Sequence, residues 1–124
     1  MAQFMLIYSY SQTIMRNDVM KTTASDLKSE ILEALAHPNR IRILESLRRG
    51  PQCNCELSPL LGLEQSNLSR HLKILLQAGI LVSWKEGLRV NFKVTDDRVF
   101  KILDIAAAVA RRDVARRAEA LQEA

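Results

Sequence analysis

Two cysteines separated by one residue carry the most distinctive chemistry in this 124-residue chain. Cys53 and Cys55 are its only cysteines, and they do not form the spaced, even-numbered set that staples a small secreted domain. Thiolates at these positions would prefer soft, thiophilic metal ions over hard cations. Three interpretations follow from the residues alone: an ion-binding pair, a redox pair, or two small, partly buried side chains near a helix start.

The spacing of the two cysteines restricts what they can do together. Residues i and i+2 of a regular helix point to nearly opposite sides. Both sulfurs can therefore bind one ion only if the helix start is distorted or if one cysteine lies outside the regular helix. A disulfide within this tripeptide would close a tight, strained ring and is not expected inside a helix. A thiol pair near a helix N-terminus, however, can have lowered pKa values and react with oxidants.

A second group of side chains suits contact with DNA. The segment Ser66–Gln77, which we call the recognition helix, has an outer face without acidic residues. This face consists of Ser66, Asn67, Ser69, Arg70, Lys73 and Gln77. Such side chains donate hydrogen bonds to phosphates and base edges, whereas an ordinary solvated helix usually mixes in Asp or Glu.

Each of these residues has an expected role. The N-terminal residues of the second helix of a helix-turn-helix reach the bases. We therefore assign base edges or nearby phosphates to Gln65, Ser66, Asn67 and Ser69. Arg70 either reads a guanine or clamps a phosphate, and Lys73 grips the backbone. Beyond the helix, Lys85 and Arg89 flank a predicted hairpin turn, where they would straddle a phosphate backbone.

The remaining periodicity predicts the elements that position these groups. Apolar residues at helical spacing predict helices at about 25–36, from Pro38 to Gly50, at about 54–61, from a Ser66 cap to Gly79, and at about 97–121. The second helix should bury Ile41, Ile43, Leu44 and Leu47. The recognition helix should bury Leu68, His71, Leu72, Leu75 and Leu76, with His71 as a packed core residue and not a ligand. Alternating residues on either side of Glu86-Gly87 predict a β-hairpin.

This order of elements defines the fold class. It is mostly α with a β-hairpin wing (α+β), a winged helix-turn-helix. We predict a poorly specified N-terminal extension at 1–22, without the features of a secretory signal, and one DNA-binding and dimerisation domain at 23–124. The net charge of +4 suits a polyanionic partner. The absence of a phosphate-binding loop or a nucleophile triad argues against an enzyme. We expect a cytoplasmic protein that binds double-stranded DNA.

Three runs resemble the ArsR/SmtB family of metal-responsive winged-helix repressors, and the resemblance covers about 25–110. They are 35–44 (LAHPNRIRIL), 65–73 (QSNLSRHLK) and 78–81 (AGIL). The resemblance implies a homodimer joined by its first and last helices. It also implies binding to an inverted-repeat operator and release from DNA when an ion or another inducer binds.

Within that family, Cys53-Asn54-Cys55-Glu56-Leu57 is similar to the Cys-x-Cys-Asp-Leu motif of the arsenic-sensing branch. The resemblance implies Cys53 and Cys55 as metal ligands, with As(III) or Sb(III), or else Cd(II), as inducer and no organic cofactor. A third cysteine of the arsenic pattern is Ser58 here, so two protein thiolates would be completed by water or a small thiol. Zinc is disfavoured, because 97–121 lacks the His ligands of the zinc-sensing branch. A redox or non-metal inducer, and a dimeric protein-interaction module, remain alternatives.

Overall fold

The computed structural model describes residues 22–123. This range contains five helices, the number predicted, and three strands. In chain order they are α1 (Ala24–Leu35), α2 (Pro38–Ser46), β1 (Gln52–Cys53), α3 (Asn54–Leu61), α4 (Gln65–Gln77), β2 (Leu81–Glu86), β3 (Arg89–Val94) and α5 (Arg98–Glu123). The fold is mostly helical with a small sheet, as predicted for a winged helix-turn-helix. Most of the predicted N-terminal extension lies outside the described residues.

Local capping chemistry determines where α1 begins. The Thr23 hydroxyl accepts a hydrogen bond from the Asp26 backbone N–H, and the Asp26 carboxylate accepts one from the Thr23 N–H. This reciprocal capping box satisfies two backbone donors that have no partner within the helix. These bonds from Thr23 to the carboxylate hold the pKa of Asp26 below its ordinary value. The helix ends at Leu35, one residue earlier than predicted.

The core lies between the helices and one face of the sheet. Its fully buried side chains are Ile43, Leu44, Cys53, Leu57, Leu68, Leu75 and Ile80. On α2 the predicted burial of Ile43, Leu44 and Leu47 is confirmed, but that of Ile41 is wrong, because Ile41 is 36% exposed. Ile41 lies three residues before Leu44 but two before Ile43, so around the helix it falls at the edge of the buried face, where solvent reaches it. The helix itself stops at Ser46 and gives way to turns before Gly50.

The sheet contains a strand that the sequence did not predict. β1 pairs antiparallel with β3, with Gln52 opposite Phe92 and Cys53 opposite Asn91, so the strand order is β1-β3-β2. Two residues are too few to display an alternating pattern, which explains why this strand escaped prediction. Through this strand the backbone of Cys53 pairs directly with β3, a strand of the wing.

The predicted hairpin is present, with its turn shifted by one residue. Glu86 pairs with Arg89, so the two turn residues are Gly87 and Leu88 and not Glu86 and Gly87. Gly87 has a φ of 60°, a left-handed conformation that suits glycine at the first position of a two-residue hairpin turn. Leu88 is 99% exposed and forms the tip of the wing.

The N-terminus of α4 also differs from prediction. Ser66 was expected to cap this helix, but the helix begins at Gln65, and Glu64 occupies the N-cap without a side-chain hydrogen bond to the helix. Ser66 therefore lies within the first turn with its side chain exposed. A first turn without an internal side-chain cap leaves backbone N–H donors directed outwards, where phosphates can accept them.

The last helix packs on the core through its first turns only. Val99 and Leu103 are buried, whereas Ile105, Val109, Val114 and Leu121 are exposed. Arg48 connects α2 to α5, because its guanidinium donates to Asp104 at 2.6 Å and also pairs with Glu45. None of the helices in 22–123 combines the length and hydropathy that crossing a membrane requires.

Candidate nucleic-acid interface and metal centre

The recognition helix is divided into a buried and an exposed face. The inner side chains Leu68, His71, Leu72 and Leu75 are buried, as predicted, whereas Leu76, also predicted to be buried, is only half-buried. The outer side chains are exposed apart from half-buried Asn67; they are Gln65, Ser66, Asn67, Ser69, Arg70, Lys73 and Gln77. The helix contains no Asp or Glu, and the arrangement presents two cations with several neutral donors on one surface.

Arg70 is held in place at the centre of this surface. Its guanidinium donates to the Asn67 amide oxygen at 3.2 Å, an i,i+3 contact along the helix. The bond uses one nitrogen of a group with five N–H donors, so the other donors remain directed outwards. This geometry is compatible with either role predicted for Arg70, contact with a guanine edge or with a phosphate.

Arg40, which was not predicted as a site residue, holds the inner face of the recognition helix. Arg40 donates to the backbone oxygens of Ala34 at 2.6 Å and Glu33 at 3.2 Å, and its Nη1 lies 3.3 Å from Nδ1 of His71. Arginine can only donate, so Nδ1 of His71 must accept and its proton resides on Nε2. Arg40 thus ties the end of α1 to the recognition helix, within the 35–44 run that carried the family resemblance.

His71 is a packed residue, as predicted. Its ring lies 4.4 Å from the ring of His37. Burial lowers the pKa of His71 below its ordinary value, and the positive charges of its neighbours His37, Arg40 and Arg70 act in the same direction. The side chain is therefore kept neutral beneath the outer surface of the recognition helix.

Stability should consequently fall as the protein is acidified through the ordinary histidine range. Because the folded pKa of His71 is lowered, the unfolded chain binds more protons below about pH 6.5. The free energy of unfolding is thus expected to drop between about pH 7 and pH 5. His71→Asn, which keeps an acceptor for Arg40, should reduce that drop. Urea unfolding at a series of pH values measures it, and identical pH dependence in the two proteins would contradict the assignment.

Cys53 and Cys55 lie on either side of the start of α3. Cys53 is the N-cap, with extended backbone (φ −86°, ψ 161°), and Cys55 is in the first turn. Of the two arrangements expected to let the sulfurs meet, a distorted helix start or a cysteine outside the regular helix, the structure shows the second. The Cys53 sulfur accepts a hydrogen bond from the Glu56 backbone N–H at 3.2 Å, so it does the work of a capping side chain.

The two sulfurs form a disulfide, contrary to the sequence-based expectation. That expectation assumed both residues inside the helix, whereas Cys53 precedes it with extended backbone, which changes the direction of its side chain. The Cα atoms are 5.2 Å from one another, a usual separation for a disulfide. Cys53 is fully buried and Cys55 is exposed. An oxidant or an ion would therefore approach the pair from the side of Cys55.

Two charged residues surround the sulfurs. The Glu56 carboxylate accepts from the Cys53 backbone N–H at 3.4 Å and pairs with Arg89 of the wing through Nη2. The same nitrogen of Arg89 donates to the Cys53 sulfur at 3.4 Å. Arg89 was predicted to contact DNA, but here it is engaged with the cysteine site. Glu56 was not predicted as a site residue, although glutamate three residues after an N-cap signals a capping box.

The remaining site positions are separate from the sulfurs. Lys85 is exposed near the end of β2 and stays a candidate for phosphate contact. Ser58, at the position of the third cysteine in the arsenic pattern, donates to the backbone oxygen of Leu63 at 2.6 Å. Its hydroxyl fixes the turn between α3 and α4.

Comparison with known proteins identifies the family. The profile described as bacterial regulatory protein, arsR family, matches residues 37–83. The chain is 36% identical to the uncharacterised HTH-type transcriptional regulator Rv0081 of Mycobacterium tuberculosis, over 78% of this chain and 86% of the relative. The crystal structure of Rv0081 superposes with a TM-score of 0.69, covering 78% of this chain and 98% of that one, at 34% identity.

A second relative bears on the cysteine site. The arsenical resistance operon repressor of Bacillus subtilis is 35% identical over 63% of this chain and 82% of its own length. These relatives are named as transcriptional regulators, in agreement with the prediction that this chain is not an enzyme. The chain therefore belongs to the arsR family of DNA-binding bacterial transcriptional regulators.

Proposed function

We propose that this protein is a cytoplasmic repressor that binds an inverted-repeat operator as a homodimer and leaves it when a thiophilic ion binds Cys53 and Cys55. The observation that carries the proposal is the position of the Cys53 sulfur, which caps α3 while its backbone pairs with the wing. The helix capped by this sulfur packs on the recognition helix. Cys53 thus contacts the wing directly, through its backbone and through Arg89, and is connected to the recognition helix through α3.

The cap explains how the site would act on DNA binding. To bind one ion, both cysteines must be reduced and deprotonated, and the two sulfurs, which are joined in the disulfide, must move apart to hold it. The Glu56 N–H would then lose its acceptor, and an N-cap contributes about 1 kcal/mol to a helix. The start of α3 would shift, and with it the recognition helix and β1. Release would follow because the ion binds the shifted arrangement more tightly than the capped, DNA-binding one.

The dimer is supported by apolar surface on the first and last helices. Leu27 and Leu32 of α1 are exposed, as are Ile105, Val109 and Val114 of α5. Exposed apolar side chains grouped on a surface mark a site of association. A second copy paired through them would present two recognition helices, which suits an operator with two-fold symmetry.

Arsenite or antimonite is the inducer we favour. The thiolate pair suits soft ions, and the Bacillus subtilis relative is named as an arsenical resistance repressor. Ser58 cannot supply a third thiolate, since it is a serine engaged with Leu63. Water or a small thiol would complete the coordination of a trivalent ion.

A reporter experiment tests this function in cells. The DNA upstream of the gene, fused to a reporter, should be repressed by the protein and induced several-fold by arsenite. The variants Cys53→Ser and Cys55→Ser should repress normally, because serine is a good N-cap at position 53 and residue 55 is exposed, but they should not respond to arsenite. Repression that arsenite relieves equally in the variants would refute the proposed inducer site.

Release by an oxidant is a second candidate, favoured by the disulfide. Two thiols would lose two protons and two electrons to an oxidant such as diamide, forming the sulfur–sulfur bond. If DNA affinity of the purified protein falls on diamide treatment and recovers on reduction, with no change in Cys55→Ser, the redox function holds. Equal affinity of the oxidised and reduced proteins would exclude it.

A further inference from the structure

We propose that Glu56 supplies a third, carboxylate donor to the cysteine site and that the site thereby binds a divalent thiophilic cation, for which cadmium(II) is the probe. This inference rests on the proposed function, because the same two thiolates bind the ion. The inference goes beyond the proposed function because it assigns a third protein ligand. With that ligand, the site would distinguish divalent cations from trivalent arsenic.

The three side chains are already assembled. One ligand atom each from Cys53, Cys55 and Glu56 lies within 4.8 Å of the other two. The Cys53 sulfur is buried, while Cys55 and Glu56 are exposed. A cation could therefore enter from solvent between the two exposed side chains and reach the buried sulfur last.

Glu56 can contribute a donor without giving up its present contacts. Its Oε1 accepts from the Cys53 backbone N–H and pairs with Arg89. Its Oε2 has no hydrogen-bond partner within residues 22–123. A carboxylate has about four lone-pair sites on its two oxygens, so one oxygen can keep the cap and Arg89 while the other faces the ion.

The charges favour a divalent ion with this donor set. Two thiolates and one carboxylate carry three negative charges, and a divalent cation leaves one. Arg89, hydrogen-bonded to both Glu56 and the Cys53 sulfur, neutralises that remaining charge. Such a partner outside the ligand shell orients its ligand and tunes affinity.

The donor chemistry separates the two classes of ion. Cysteine sulfur and carboxylate oxygen occur together around filled-shell divalent ions such as zinc, and cadmium shares this filled shell with greater preference for sulfur. Arsenite prefers soft donors throughout, so it gains little from a carboxylate. Loss of the Glu56 charge should therefore weaken cadmium binding and leave arsenite binding unchanged.

The full-length protein tests this after reduction. A water-soluble phosphine reduces the disulfide to two thiols, with its phosphorus oxidised to the phosphine oxide by oxygen from water, and is then removed under argon. Cadmium is titrated against a competing chelator, and thiolate-to-cadmium charge-transfer absorption in the ultraviolet reports binding. Each bound ion displaces two thiol protons. Glu56→Gln is the variant, because glutamine at this position retains the capping box.

The expected result is a cadmium affinity at least about tenfold lower in Glu56→Gln than in the wild type, a loss typical of a disturbed metal site. The arsenite midpoint should be the same in both proteins. Glu64→Gln removes the same charge at the start of the next helix and should bind cadmium like the wild type. Equal cadmium affinity in wild type and Glu56→Gln would overturn the inference.

Failure of the proposed function gives a different result. If cadmium and arsenite bind the wild type no better than they bind Cys55→Ser, the thiolates do not form an ion site, and the proposed function fails along with the inference. If Cys55→Ser loses both ions while Glu56→Gln loses neither, the function stands and the role of Glu56 is refuted. Equal losses of cadmium and arsenite in Glu56→Gln would also refute it, since the carboxylate would then not discriminate between the ions.

Discussion

Replacement of Arg70 by alanine is expected to weaken operator binding by roughly 30-fold to 10⁴-fold. An arginine contact to a base costs about 1–3 kcal/mol when removed, and a homodimer loses two such contacts at about 1.4 kcal/mol per tenfold change. Arg70 is exposed at the centre of the recognition surface, and its one hydrogen bond within the described residues goes to Asn67. Its loss should therefore leave the folded protein intact.

Fluorescence anisotropy with a labelled operator duplex measures the effect. Arg116→Ala is the matched control, because Arg116 is an exposed arginine of α5 paired with Asp113 and should bind like the wild type. If Arg70 clamps a phosphate, the loss will be similar on operator and unrelated DNA, and the salt slope will fall by about one per contact. If it reads a base, the loss will be confined to the operator.

Unchanged affinity in Arg70→Ala would contradict the assignment of this surface to DNA. It would favour the alternative of a protein-interaction module, in which the helix-turn-helix serves as scaffold. A DNA-binding protein that neutralises several phosphates should also weaken log-linearly with salt. Binding without a salt dependence would count against the proposed repressor for the same reason.

Leu57→Ala should destabilise the fold by about 2–5 kcal/mol, the range for truncation of a buried leucine. Leu57 is 0% exposed and belongs to the core. It lies on the helix capped by Cys53, so the cavity would loosen the element that joins the cysteine site to the recognition helix. Domains usually have free energies of unfolding of about 5–15 kcal/mol, so this single substitution would remove much of the stability.

Denaturant unfolding of reduced protein measures the loss, with Leu60→Ala as the control. Leu60 undergoes the same substitution on the same helix but is 60% exposed, and surface changes usually stay within about 0.5 kcal/mol. Comparable losses in the two variants would mean that Leu60 is covered in the solution protein, for example by another copy. A negligible loss in Leu57→Ala would contradict its place in the core.

The helical framework was predictable because its signal is local and repeated. The recognition helix shows apolar residues at helical spacing along its whole length, and the inner face of Leu68, His71, Leu72 and Leu75 is confirmed. The hairpin was visible for the same reason, since two six-residue strands show clear alternation. Ile41 was wrongly predicted to be buried, because helical periodicity alone does not distinguish a residue at the edge of the buried face from one within it.

The features that escaped prediction depend on contacts between distant segments. β1 has two residues and exists only because β3 lies beside it. The Arg40 contact to His71 spans 31 residues, and the pair between Arg89 and Glu56 spans 33. No local pattern encodes such distances. The disulfide was not expected inside a helix, although a redox pair stayed an alternative. Its geometry depends on where the helix begins, and helix ends are the least certain part of any sequence-based assignment.

The account depends most on the claim that the two thiolates control DNA binding. The direct measurement is an arsenite titration of the reduced protein on a labelled operator, followed by anisotropy, in the wild type, Cys53→Ser and Cys55→Ser. We predict that arsenite releases the wild type from DNA, that excess of a competing dithiol restores binding, and that both variants remain bound throughout. Release of the variants at the same arsenite concentration, or no release of the wild type, would contradict the account.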